Sequence, residues 1–239
     1  RSFKQAFNGV AMTIPANKVK ALLTSPAVKT VWSDIQVQAE PPVEEESQQE
    51  AITKPMVPGI NKLHEEGYTG KGVKVGILDT GIDYTHPDLK GAFKGGYDFV
   101  ENDHDPMETT YDDWKNSGKE EIRGGGTYYT EHGTHVAGII AGQGKNTSTD
   151  IPVDGVAPEA DIYAYRVLGP YGTGSTSAIL AGIDRAVADG MNVINMSLGA
   201  NYNDPLYATS IAVNNAVLAG VTMVVSAGNS GEQMYTLGS

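Results

Sequence analysis

The 239-residue sequence contains no cysteine. That excludes disulfides, thiolate catalysis and a cysteine-ligated zinc, and leaves the redox compartment open. Basic residues are scarce: 17 Lys and Arg stand against 29 Asp and Glu, a formal charge of −12. Phosphate binding needs a basic face, so nucleic acid is not an expected partner, and the acidity serves solubility rather than a named ligand. No run of about eighteen apolar residues occurs, so no membrane span is expected. A secretory signal is missing too, and Arg1 falls inside a strand-like pattern, so the start reads as a cut rather than a natural beginning. No internal repeat is visible, and the length suits one main domain with a small extra one.

Residues 1–38 read as that small unit. Val10, Met12 and Ile14 alternate as in a strand, Pro15 opens a helix carrying Val19, Leu22 and Leu23, and Val28, Val31, Ile35 and Val37 read as a returning strand. This is about one βαβ element, too short for a core of its own, so it is half of a small domain or rests on the larger one. Residues 39–58, with Pro41, Pro42, Pro55, Pro58 and the run Glu44 to Glu46, read as a cleavable linker.

From Gly72 onward short apolar runs alternate with helix-like stretches, as buried parallel strands and crossover helices do. Strands are expected at Val73–Leu78, Asp161–Val167, Asn192–Met196 and Val221–Val225. Helices are expected at Ser175–Asp189 and Asp204–Ala219, with Gly190 and Gly220 as left-handed caps. The fold class is α/β: a doubly wound, mostly parallel sheet covering 59–239, preceded by a partial α+β unit. In such sheets the functional crevice lies beyond the carboxyl ends of the strands, where Asp79, Ser197 to Gly199 and Gly228 to Asn229 fall. The acid-rich stretch 101–131, which includes Glu108, Asp112 and Asp113, breaks the alternation and reads as a surface insertion.

Two motifs carry the chemistry. Asp79-Thr80-Gly81 closes an apolar strand, where a partly buried carboxylate needs hydrogen-bond partners such as backbone N–H groups and an imidazole. By itself it reads equally as a turn-forming Asp before Gly. His132 opens a helix in which the small residues Gly133, Ala137, Gly138 and Ala141 would let it approach the sheet closely. Surface histidines are the bland reading. A metal site from His132 and His135 is the other, disfavoured because zinc-protease helices space their histidines by four with a Glu between. Asp-Thr-Gly is also the active turn of aspartic proteases, but those need an all-β surrounding and a second copy of the turn. Ala227-Gly228-Asn229-Ser230-Gly231 reads as a tight turn, and Ser197-Leu198-Gly199 and Gly172-Thr173-Gly174 as loop punctuation.

In this order, Asp79-Thr80-Gly81, His132 to Gly138, Asn195-Met196-Ser197-Leu198-Gly199 and Ala227-Gly228-Asn229-Ser230 resemble the subtilisin-like serine proteases, the subtilases. The similarity runs from about Tyr68 to Ser239, and residues 1–38 resemble the second half of that family's inhibitory propeptide. The resemblance implies that Asp79 orients, that His132 is general base and then general acid, and that Asn229 donates to the oxyanion. It implies a polypeptide substrate laid as an added strand between Gly172-Thr173-Gly174 and Ser197-Leu198-Gly199, bound largely through its main chain. It also implies the chain's own propeptide tail in that cleft, secretion as an endopeptidase precursor, and processing between about Gln38 and Pro58. Calcium is the one cofactor to consider, with Asp88 and Asn146, and Asp150 beside them, as oxygen donors; no organic cofactor is expected.

One part of the family's pattern is missing. The nucleophilic serine of a Gly-Thr-Ser-Met/Leu-Ala motif does not occur in these residues, and Ser175, Ser177, Ser210, Ser230 and Ser239 do not stand in that setting. The 239-residue chain is therefore expected to lack peptide hydrolysis by itself. A peptide-binding pseudo-protease is the rival that is not an enzyme.

Overall fold

The computed structural model describes residues 1–39, 58–146, 154–199 and 204–229. The chain begins with two short strands, β1 (Ser2–Phe3) and β2 (Gly9–Val10), a 3-10 turn at Ala16–Lys18 running into helix α1 (Val19–Leu23), and strand β3 (Gln36–Ala39). Next come α2 (Ile60–Glu65), β4 (Lys74–Asp79), β5 (Phe93–Asp98), α3 (Tyr111–Ser117), the hairpin strands β6 (Ile122–Arg123) and β7 (Gly126–Thr127), and α4 (His132–Ala141). The last part holds β8 (Asp161–Arg166), β9 (Thr173–Ser175), α5 (Thr176–Ala188), β10 (Val193–Met196), β11 (Leu198–Gly199), α6 (Ala208–Leu218) and β12 (Thr222–Val225).

Five strands form one parallel sheet in the order β12-β10-β4-β8-β5. The two-residue strand period sorts its side chains onto two faces. Val75 and Ile77 of β4, with Ile162 and Ala164 of β8, pack with Ala137 and Ala141 of α4. Leu78, Tyr165, Ile194 and Met196 point the other way, toward Ile179 and Ile183 of α5 and Ala212 and Ala216 of α6. Both faces are covered, which is why the central strands read as unbroken apolar runs and not as alternations. The four expected strands and the two long helices occur to within a few residues, and Gly190 and Gly220 adopt φ of 75° and 95° at the helix ends.

Strand β5 carries no apolar run: its sequence is Phe-Lys-Gly-Gly-Tyr-Asp, it lies at the sheet edge, and its register with β8 shifts between Phe93 and Gly95. A bulged edge strand needs no continuous buried side chains, so periodicity passes over it. The stretch 101–131 is only partly a surface insertion. It contains the capping-box helix α3 and the β6-β7 hairpin, but Glu108 and Thr109 inside it are buried.

Residues 1–38 rest on the larger domain, since Phe3, Ala6 and Val37 belong to the core cluster beneath α5 and α6. Their βαβ reading needs correction. β1 pairs with β2 in antiparallel fashion, Met12 and Ile14 lie outside any strand, and of the expected returning strand only Val37 falls in β3, with Val28, Val31 and Ile35 before it. The alternation there marks no buried face, because Val10 and Met12 are about 60% exposed. The segment is held by polar contacts: the Asp184 carboxylate on α5 accepts the backbone N–H groups of Lys4, Gln5 and Ala6, and Asp34 accepts from Ser177 N and Oγ at the start of α5. The expected linker 39–58 lies outside the described residues except at its two ends.

Candidate active site

Every strand of a parallel sheet ends at the same edge, so the segments after β4, β8, β10 and β12 all open there. Asp79 is the last residue of β4 and is buried. His132 is the first residue of α4 and is partly exposed. They lie 53 positions apart in the chain, and the imidazole Nδ1 is 2.7 Å from Asp79 Oδ1. The same oxygen accepts the Thr80 N–H at 2.7 Å. An ionised carboxylate only accepts, so Nδ1 carries the proton and Nε2 is the basic nitrogen of the neutral ring. Asp79 Oδ2 is buried with no hydrogen-bond partner among the described residues.

The close approach of α4 to β4 depends on Gly133. A Cβ there would sit 2.0 Å from Gly81 O, so no side chain fits. Gly133, Ala137 and Ala141, spaced by four, form the buried face of α4. Gly138 belongs to another face and borders open space, a correction to the expectation that it served the approach. The Thr80 hydroxyl accepts the Gly133 N–H at 2.9 Å, so the residue beside Asp79 holds the turn that carries His132. His135 lies on the exposed side of α4, and among the described residues no group of three His, Asp or Glu could hold a metal ion.

The two glycine-containing segments come together around a strand of the chain itself. β3 runs antiparallel between β9 and β11: Gln36, Val37 and Gln38 face Ser175, Gly174 and Thr173, while Gln38 and Ala39 face Gly199 and Leu198. Val37 is buried in the core cluster. Gly174 has no room for a side chain, since a Cβ would lie 2.3 Å from Val167 O. Gly172, at φ 65° in the turn before β9, lies against Ala39, and Ser197, just before β11, accepts a hydrogen bond from Asn195 Nδ2 at 3.0 Å. Asn229 is exposed beyond β12, following Gly228 at φ 81°, on the same edge of the sheet.

The segment after β12 is tied to β11 through Ser226, whose Oγ donates to Leu198 O. Asp88 and Asn146 are neighbours as well: Asp88 Oδ1 accepts the backbone N–H groups of Lys145 and Asn146. Asp150 lies outside the described residues.

Sequence reading missed two buried groups beside this site. Arg166, at the end of β8, pairs with Asp98 at 2.5 Å and also donates to Thr80 O and Thr109 Oγ1. Glu108 accepts from Thr130 and Thr134, and burial is the main cause pushing its carboxyl above the ordinary Glu range. Both lie in or against an acid-rich stretch that looks solvated, and the partners of Glu108, Thr130 and Thr134, lie more than twenty residues further along the chain.

Comparison with known proteins accords with this geometry. Residues 70–239 match the Subtilase family and residues 1–40 match Peptidase inhibitor I9. The whole chain is 42% identical to the minor extracellular protease Vpr of Bacillus subtilis (strain 168), covering 28% of that protein. Over 96% of the chain it is 37% identical to subtilisin E of the same strain, covering 51% of it. Over 73% of the chain it is 40% identical to a subtilisin of Bacillus pumilus, covering 54% of it. The chain thus spans between about a quarter and a half of the length of these relatives. The parallel sheet also differs from the all-β surrounding that an aspartic protease requires. With the family match spanning most of its length, the chain belongs to the subtilase family.

Proposed function

We propose that these residues form part of a secreted serine endopeptidase precursor, in which Asp79 and His132 are the acid–base pair of an Asp-His-Ser triad. The observation that carries this is the 2.7 Å contact between His132 Nδ1 and Asp79 Oδ1 at the carboxyl edge of the sheet. Asp79 holds the ring in the tautomer whose Nε2 can take a proton from a hydroxyl nucleophile and return it to the leaving amine. Asn229 is the proposed donor to the oxyanion. Such a donor is worth about 10²–10³ in turnover, a magnitude measured in subtilisin itself and carried over to this family member. Residues 1–38 are the proposed propeptide part, 39–58 the linker with the processing site, and 59–239 the protease part.

The pairing of residues 36–39 with β9 and β11 supports a peptide-binding role for Gly172, Thr173, Gly174, Ser197, Leu198 and Gly199, with the propeptide tail as an internal occupant. Main-chain pairing of this kind discriminates weakly among side chains, so broad specificity is expected. Secretion is inferred from the family and from the extracellular relative. Among the described residues no helix is long and apolar enough to cross a membrane.

The triad needs a serine, and no Gly-Thr-Ser-Met/Leu-Ala motif occurs in these residues. The purified 239-residue chain is therefore expected to leave a chromogenic peptide substrate intact, and turnover abolished by a serine-directed inhibitor would refute that. In an active form of the protein, His132→Ala is expected to lower turnover by about 10⁶, as in subtilisin. The strand seated between β9 and β11 also favours a second reading, a peptide-binding module without catalysis. Failure of the full-length gene product to hydrolyse any peptide would favour that reading.

The Asp88 and Asn146 side chains have the hard oxygen chemistry that calcium prefers, and Asp88 Oδ1 holds the backbone of Lys145 and Asn146. They are the proposed part of a structural calcium site. The ion would supply loop rigidity and takes no part in the reaction.

A further inference from the structure

Helix α4 presents its first backbone N–H groups to the site without help from its own N-cap, because Glu131 makes no side-chain capping bond. Two of those groups are satisfied from elsewhere. Gly133 N donates to Thr80 Oγ1, and Thr134 N donates to Glu108 Oε1 at 2.9 Å. Glu108 also receives the Thr134 hydroxyl at 3.0 Å and the Thr130 hydroxyl at 2.6 Å.

The direction of these hydroxyl bonds follows from what else each oxygen does. Thr134 Oγ1 accepts the Asp83 N–H, and Thr130 Oγ1 accepts the Thr109 N–H. Each hydroxyl spends a lone pair on a backbone amide and turns its proton toward Glu108. One carboxylate thus gathers donors from the approach to α4 and from the first turn of α4. The backbone before Glu108 is fixed to the turn that follows β4: Ile82 N donates to Pro106 O, and a Cβ on Gly81 would meet Met107 O at 2.7 Å.

We propose that Glu108 is a positioning residue of the Asp79–His132 pair, its carboxylate clamping the first turn of α4 to the turn that follows β4. The proposal rests on reading Asp79 and His132 as the acid–base pair. Glu108 acts through Thr130 and Thr134. Burial pushes its carboxyl pKa up, the hydrogen bonds from Thr130 and Thr134 pull the other way, and the Asp79 charge adds to the rise. Arg166 is paired with Asp98 and meets this network at Thr80 O and Thr109 Oγ1, while His132 and His135 stand on α4 on either side of Gly133 and Thr134.

Nitrogen and proton NMR of the 15N-histidine-labelled 239-residue chain tests this without any need for turnover. Glu108→Gln keeps the size but turns one acceptor into an NH2 donor that confronts Thr–OH or N–H donors. In a variant with unchanged far-UV circular dichroism, the His132 Nδ1 proton is expected to exchange with water at least ~10-fold faster. Unchanged exchange would overturn the proposal. Should Glu108→Gln not fold, the wild-type chain decides. The Glu108 carboxyl carbon is expected to titrate above the ordinary Glu range with a matching inflection in the His132 Nδ1 shift, and independent titration would overturn the proposal. Asp79→Asn separates the two layers. If it leaves His132 unaltered, the pair itself is misread; if it alters His132 and Glu108→Gln does not, only the role of Glu108 fails.

Discussion

At the scale of single residues, the site is made of polar groups whose burial is compensated unevenly. Asp79 Oδ1 has two donors and Oδ2 none among the described residues, while Glu108 has donors on both oxygens. Glu108 therefore has a consequence for stability. Its pKa is raised in the fold, so between the ordinary Glu range and the raised value the native state holds a proton that the unfolded chain has lost. The stability from this group is complete below the unfolded pKa and declines as pH rises through that window. Glu108→Gln is expected to remove this slope, read as urea midpoint against pH; an unchanged slope would contradict the assignment. Positioning and stability pull in opposite senses here, since the proton relieves the buried charge but takes up an acceptor site. The contact between Asp79 and His132 was anticipated from their motifs, whereas Glu108 was hidden because an acid among other acids looks solvated until its tertiary partners are known.

At the scale of elements, α4 shows how a short spacing rule becomes a functional contact. Gly133, Ala137 and Ala141 recur every four residues, and that face lies on Val75, Ile77, Ile162 and Ala164. Gly133→Ala would drive a methyl against Gly81 O, at 2.0 Å with no relaxation. Such overpacking costs about 1–3 kcal/mol. The expected result is a lowered denaturation midpoint together with loss of the ordered His132 Nδ1–H signal, and a variant with both unchanged would show that α4 does not need this approach. The central strands and α5 were legible because two buried faces and a helical repeat write themselves into the order of apolar residues. β5 was not, because an edge strand with Gly95 and Gly96 needs no such order. The pairing of β3 was half legible: of the apolar run that marked a strand only Val37 lies in it, and its neighbours β9 and β11 lie more than a hundred residues away, where no local pattern names them.

At the scale of the whole molecule, a sheet wound on both faces brings four chain segments to one edge, and residues 1–38 lie along the α5 and α6 side with their last strand at that edge. The fold class and the site's location followed from the alternation of runs and helices. The way the small N-terminal unit sits did not, since it depends on side chains such as Asp184 and Asp34 meeting backbone N–H groups across the fold. If Asp88 and Asn146 hold calcium, adding chelator is expected to lower the melting temperature of the chain, and Asp88→Ala to abolish that response. An equal response in Asp88→Ala would move the ion elsewhere.

The account turns on the proton that joins Asp79 to His132, and the tautomer of that ring reports it most directly. In the 15N-labelled chain above the imidazolium range, His132 is expected to carry its proton on Nδ1 with Nε2 unprotonated, and Asp79→Asn to disturb that state. A neutral His132 protonated on Nε2, indifferent to Asp79→Asn, would contradict the assignment of this pair as the acid–base centre.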